Sequence, residues 1–208
     1  LDCANGASYL IGPWIFRELG VEVIKTAVDP DGFNINNGCG ALHPETISRL
    51  VRQHGADAGI AFDGDADRVV FCDSEGEVVD GDRILAMCAL DHKRRGCLTN
   101  DTLVVTSLSN LGLHEAMKEA GIRIVTTGVG DRHVIEKMRA DGYSLGGEKS
   151  GHMIFMDHAT TGDGIISALQ VLKLMKESGR PLSELAACMT AHPQKLISLE
   201  VKENIPVS

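Results

Sequence analysis

Short apolar runs alternate with longer mixed stretches along this chain, and Gly, Asn, Asp or Pro marks nearly every junction. Runs of three to five apolar residues between turn signals predict buried strands, and the longer stretches predict helices. Asn5-Gly6 is a turn signal, followed by a helix over about 8–19 that Gly20 stops. A strand is predicted over 21–24, then a loop over 30–40 rich in Asn and Gly. Pro44 suits the first position of a helix that runs to His54 and ends at Gly55. Ala58-Gly59-Ile60-Ala61-Phe62 reads as a buried strand, an acidic loop follows, and 69–72 reads as the returning strand. A turn over 73–76 leads to a helix from Asp80 to about Arg95.

The pattern then starts again, with strands over 103–105 and 122–126 and helices over 110–120 and 131–140. A short strand over 143–145, a polar loop over 146–151, a strand over 152–156 and a helix over 163–178 complete it. Each half carries a strand, a Gly-containing polar loop, a returning strand and a Gly-Asp pair that opens a helix (Gly81-Asp82 and Gly162-Asp163). The expectation is α/β: two tandem, related three-layer α/β domains with mostly parallel mixed sheets, over 1–98 and 99–208. Open α/β sheets bind ligands at strand carboxyl ends, so both polar loops could face one cleft.

Composition narrows the function. The 208 residues are 43% hydrophobic and 24% charged, as in ordinary globular proteins. A net charge of −9 argues against nucleic acid or a membrane surface as the main partner. With aromatics at 4% and one tryptophan, there is no stacking platform for single strands. Six scattered cysteines without a Cys-x-x-Cys pair suit a reducing cytosol better than a disulfide framework. Neither a signal peptide nor a membrane-spanning run is evident, and Leu1-Asp2-Cys3 reads as the tail of a strand from a longer protein.

The acidic loop Asp63-Gly64-Asp65-Ala66-Asp67-Arg68 carries the strongest chemistry. Residues two apart in extended chain share a face, so Asp63, Asp65 and Asp67 can converge. Their mutual repulsion resists ionisation unless a cation sits among them. All-oxygen ligation suits Mg²⁺ or Ca²⁺ rather than zinc, and Mg²⁺ commonly adds a phosphate oxygen. A solvated Asp-Gly turn is the plain alternative. An EF-hand fails, because Arg68 and Ser74 occupy the positions that need Gly and Glu. A phosphatase with Asp63 as nucleophile is a further reading, weakened by Asp67 standing where such enzymes carry Thr or Val.

The second loop, Gly147-Glu148-Lys149-Ser150-Gly151-His152, offers an acid, an amine, a hydroxyl and an imidazole, which suits a ligand rich in hydroxyls. It is also a common surface-turn composition. Gly128-Val129-Gly130-Asp131-Arg132 imitates a dinucleotide fingerprint but has His133 for the third glycine. Arg132 at a helix start could meet phosphate, or simply pair with Glu136 one turn on. Asp163 reads as a helix cap, His43 as an exposed loop residue, and Met117, Met138 and Met175 as core filler.

Taken together, the two loops, in this order and at this separation, resemble the metal and sugar loops of the α-D-phosphohexomutases. Asp2-Cys3-Ala4-Asn5-Gly6-Ala7, Gly32-Phe33-Asn34-Ile35-Asn36, Cys39-Gly40, His43-Pro44 and Val129-Gly130-Asp131-Arg132 resemble the branch that acts on glucosamine phosphates. Ala66 departs from the glycine of many relatives, and His133 from the expected aromatic. The resemblance implies the second and third of four domains, with a phosphoserine domain before them and a phosphate-binding domain after. It implies Mg²⁺ on Asp63, Asp65 and Asp67, Arg68 beside the transferring phosphoryl group, and His152 near the reacting oxygens. Glu148 and Ser150 would hold sugar hydroxyls, with Lys149, Asp131 and Arg132 also toward the phosphosugar.

Overall fold

Strands and helices alternate along residues 1–197, the part of the chain that this computed structural model describes. In the first half, β1 (Ala58–Phe62), β2 (Val69–Asp73) and β3 (Val78–Val79) form a sheet in that order, and both pairings are antiparallel. Residues 63–68 join β1 to β2, too few for the crossover that a parallel pair needs. The parallel character expected of both sheets is confined here to Asp2, which bridges Thr26 on one side and Ala61 on the other. Helix α1 (Ile11–Glu18) is shorter than expected, and α2 (Pro44–His54) has Pro44 at its start and left-handed Gly55 (φ 62°) at its end. Ile47 and Val51 of α2 pack on Ala61 and Cys72 across β1 and β2.

The strand expected over 21–24 is absent: only Thr26 pairs, in a single bridge with Asp2. Val21 and Ile24 are left exposed beside an apolar groove toward Ile47, Val51 and Ile60.

The second sheet runs β5 (Arg123–Thr127), β4 (Thr102–Thr106), β6 (Leu145–Gly147), β7 (Met153–Phe155). Its first three strands are parallel and β7 returns antiparallel. The strand expected over 143–145 starts later. Ser144 is taken up by hydrogen bonds from Thr99 N–H and to Cys97 O, while pairing with β4 begins at Leu145. Two glycines in so short a strand oppose β propensity. At Gly146 a side chain has no room, since a β-carbon would lie 2.6 Å from Met138 sulfur and 2.9 Å from Val104 O.

Helices α4 (Leu111–Glu119), α5 (Asp131–Asp141) and α6 (Gly164–Ser178) flank this sheet, and α7 (Leu182–Ala186) follows α6. Helix α3 (Gly81–Arg94), expected in the first unit, packs against α4, α6, α7 and β6 of the second. One apolar core runs through both halves and includes Phe62, Phe71, Leu85, Leu103, Leu145 and Val171. Met117 and Met138 are fully buried, and Asp163 caps α6 by accepting from Ile166 N–H at 2.9 Å. No helix among the described residues is long and apolar enough to cross a membrane.

The halves meet where the two polar loops lie. Arg68 and His152 form an antiparallel bridge, Val69 N–H donates to Gly151 O at 3.1 Å, and Gly164 N–H donates to Ala66 O at 2.9 Å. Gly81 N–H donates to Lys149 O at 3.1 Å, so the start of α3 also rests on the second loop.

Candidate active site

The acidic loop folds on itself. Asp63, at the end of β1, receives Arg68 N–H on Oδ1 at 3.1 Å and Arg68 Nε on Oδ2 at 3.0 Å. Ala66 makes the reversal with φ 63°, and its N–H donates to Asp63 O at 3.1 Å. One oxygen each from Asp63, Asp65 and Asp67 lie within 4.8 Å of one another; Asp63 is buried, Asp65 exposed and Asp67 between. Burial raises the Asp63 carboxyl to about 6, the charges of Asp67 and Asp65 push the same way, and Arg68 opposes them. A single arginine leaves the cluster short of positive charge. A hard divalent cation fits this donor set, because it would favour ionisation of all three acids at once.

His152 joins the second loop to this cluster. Its Nδ1 lies 3.0 Å from Asp67 Oδ2, its side chain is 4% exposed, and Nε2 is buried without a partner. Gly162 makes the placement possible, since a β-carbon there would overlap the imidazole. Glu148 accepts from Gly130 N–H at 3.1 Å and lies 3.5 Å from the Ser150 hydroxyl. Lys149 Nζ donates to Gln194 Oε1 at 2.7 Å.

Between the loops lies a cleft of about 370 Å³. Asp67 and Arg68 line it together with Glu148, Lys149, Ser150 and His152, and with Gly130 and Asp131. Thr106, Leu108 and Val129 also line it, at the carboxyl ends of β4 and β5. The strand ends were the sequence signal for these three, but composition did not single them out. Arg132 is not among the lining residues: its side chain is 82% exposed and pairs with Glu136 at 2.8 Å. His43 likewise pairs with Glu45 at the surface. Both Asp63 oxygens are engaged by Arg68 and the side chain is 4% exposed, so Asp63 is not presented as a nucleophile.

Residues 1–76 match the family model described as phosphoglucomutase/phosphomannomutase, alpha/beta/alpha domain II, and residues 80–192 match domain III of the same family. The chain belongs to the phosphoglucomutase/phosphomannomutase family. Within that class it is similar to the phosphoglucosamine mutase of Geotalea daltonii, 59% identical over 203 residues that make 98% of this chain and 45% of that protein. It is similar also to the phosphoglucosamine mutase of Bdellovibrio bacteriovorus, 55% identical over 208 residues, or 100% of this chain and 46% of that protein. The chain thus spans less than half the length of these relatives.

Among solved structures, a phosphoglucomutase/phosphomannomutase family protein from Burkholderia thailandensis superposes with a TM-score of 0.80 at 26% identity, over 90% of this chain and 41% of that one. The Aspergillus fumigatus N-acetylphosphoglucosamine mutase, solved with GlcNAc-6P and magnesium, gives 0.75 at 25% identity, over 97% of this chain and 47% of that one.

Proposed function

We propose that this chain is the metal- and sugar-binding half of a phosphoglucosamine mutase, which interconverts glucosamine 6-phosphate and glucosamine 1-phosphate. The observation that carries the reading is the bond between His152 and Asp67, which ties the acidic loop to the second loop, residues of both lining one cleft. The similarity to phosphoglucosamine mutases extends over nearly the whole chain. In this reading the two family domains divide between β3 and α3, in keeping with the packing of α3 on the second sheet's helices.

Asp63, Asp65 and Asp67 would hold Mg²⁺, which supplies charge neutralisation for a phosphoryl group in transfer. Both ion pairs of Arg68 use Nε, and its guanidinium has two further nitrogens with which to meet phosphoryl oxygens. Glu148 is oriented by Gly130 N–H to accept from sugar hydroxyls, while Ser150 can donate to or accept from them. Lys149 supplies positive charge at the same wall, and Asp131 lies at the cleft edge. His152 acts by holding Asp67 in place, so it is a positioning residue in this reading. Arg132 would reach a phosphosugar only by leaving Glu136.

The phosphoryl group moves between a phosphoserine on a preceding domain and the sugar, through a sugar bisphosphate that must bind in two orientations. Positioning and charge neutralisation supply most of the acceleration in such transfers. Six free cysteines support a reducing, cytosolic compartment.

Mutase turnover by the full-length parent with Mg²⁺ tests this reading, comparing glucosamine 6-phosphate with glucose 6-phosphate. We expect preference for glucosamine and a loss of about a hundredfold in Asp65→Asn. Preference for glucose would instead indicate a phosphoglucomutase/phosphomannomutase of the same fold. Turnover indifferent to Asp65 would remove the metal assignment, and phosphosugar binding without turnover would leave a binding module.

A further inference from the structure

Residues 190–194 cross the amino end of α4 without regular structure of their own. Asn110, the cap of α4, grips the backbone of His192 at two points: Nδ2 donates to its carbonyl at 2.8 Å and Oδ1 accepts its N–H at 2.9 Å. The same Oδ1 accepts Gly112 N–H at 3.0 Å, and a β-carbon at Gly112 would overlap Thr190 O. Only glycine lets the crossing segment lie this close. The His192 ring adds a contact to Glu115 at 2.7 Å.

Gln194 then reaches the cleft. Its Nε2 donates to Leu108 O at 2.9 Å and its Oε1 accepts from Lys149 Nζ at 2.7 Å. Leu108 and Lys149 belong to different segments of the cleft wall, so one amide spans two parts of the rim. The donor and the acceptor of that amide are both used, a pairing that neither alanine nor glutamate reproduces in full.

The remaining links close a circuit. Asn110 N–H donates to the buried Asp82 at 2.7 Å, and Gly81, next to Asp82, donates to Lys149 O at 3.1 Å. The second loop is therefore held at its backbone by α3 and at its lysine by the crossing segment.

We propose that residues 190–194 are a strap that sets the position of the substrate loop, with Gln194 as the positioning residue for Lys149 and Asn110 as the anchor. One ammonium proton engaged by Gln194 leaves two for the oxygens of an anionic ligand, and fixes where they point. The consequence for substrate rests on the mutase reading above; the tether itself does not.

The test uses the full-length parent and two readouts. Gln194 is exposed, so its substitution leaves the core intact. Acylation of Lys149 by an amine-specific reagent, followed by peptide mass spectrometry, reads the tether directly. In Gln194→Ala we expect it to rise about fivefold relative to Lys173 on α6, the factor one hydrogen bond is worth. Gln194→Glu keeps an acceptor for Lys149 and should leave it protected. For the phosphosugar, Gln194→Ala should raise KM about fivefold with kcat changed less than about twofold. Unchanged acylation overturns the strap, and faster acylation with unchanged KM overturns its positioning role. If the wild-type parent turns over no phosphosugar, the mutase reading fails and the acylation rates alone decide the strap.

Discussion

The two loops of the cleft are built alike and held differently. Each leaves one strand, reverses through a left-handed residue and returns antiparallel, β1 to β2 around Ala66 and β6 to β7 around Gly151. The acidic loop is held from within, with Arg68 closing on Asp63 through backbone and side chain. The second loop closes through its own backbone, Glu148 N–H to His152 O at 2.9 Å and Gly151 N–H to Glu148 O at 3.0 Å, without a side-chain ion pair like Asp63–Arg68. Gly81, Gly130 and Gln194 hold it from outside, through Lys149 O, Glu148 and Lys149 Nζ respectively. A self-closed loop can keep three acids together as a fixed site. A loop that leans on outside supports moves with them.

The strongest way to break the comparison is to exchange the left-handed residues. Gly151 has φ 96°, and a β-carbon there would overlap Val69 O, whose strand is tied to this loop. Gly151→Ala should therefore cost about 3 kcal/mol, from the left-handed penalty and backbone displacement together. Thermal or urea unfolding of the parent measures it. A loss under about 1 kcal/mol would mean that the loop yields easily and is little constrained by its supports.

The link between the loops comes next in size. His152→Gln removes the imidazole that fixes Asp67 while keeping a polar side chain. If His152 acts as a support for a metal carboxylate, Mg²⁺ affinity by calorimetric titration should fall about tenfold. An unchanged affinity would place the role of His152 elsewhere, with the acidic loop self-sufficient.

The same contrast explains what could be read without coordinates. The acidic loop was legible because its three carboxylates lie within residues 63–67, so spacing alone brought them together, while Arg68 was placed beside them only by the family resemblance. The substrate loop was legible only as a composition, since its supports lie far off: Gly130 18 residues away, Gln194 45, and Asp67 85 from His152. Elements with a full local pattern, such as α2 between Pro44 and Gly55, fell where expected. The strand over 21–24 did not, because a strand needs a neighbour and Asp2 supplies a single bridge. Gly146 and Gly147 hid β6 for the opposite reason, since close packing against Val104 and Met153 demands glycine where propensity argues against a strand.

The smallest expected effect sharpens the comparison most. Ala66 stands at φ 63° with a side chain, the strain that Gly151 avoids. Ala66→Gly would relieve roughly 1–2 kcal/mol of left-handed cost. Against that, glycine loosens the unfolded chain by roughly 0.5–1 kcal/mol. The lost methyl, partly buried against the main core, gives up somewhat less than the ~0.8 kcal/mol of a fully buried CH₂. The three nearly cancel, so stability should change by less than about 1 kcal/mol, and Mg²⁺ affinity by less than about twofold because Arg68 still closes the loop on Asp63. A larger loss in Ala66→Gly would mean that the Ala66 methyl, rather than the Asp63–Arg68 closure, keeps the three carboxylates together.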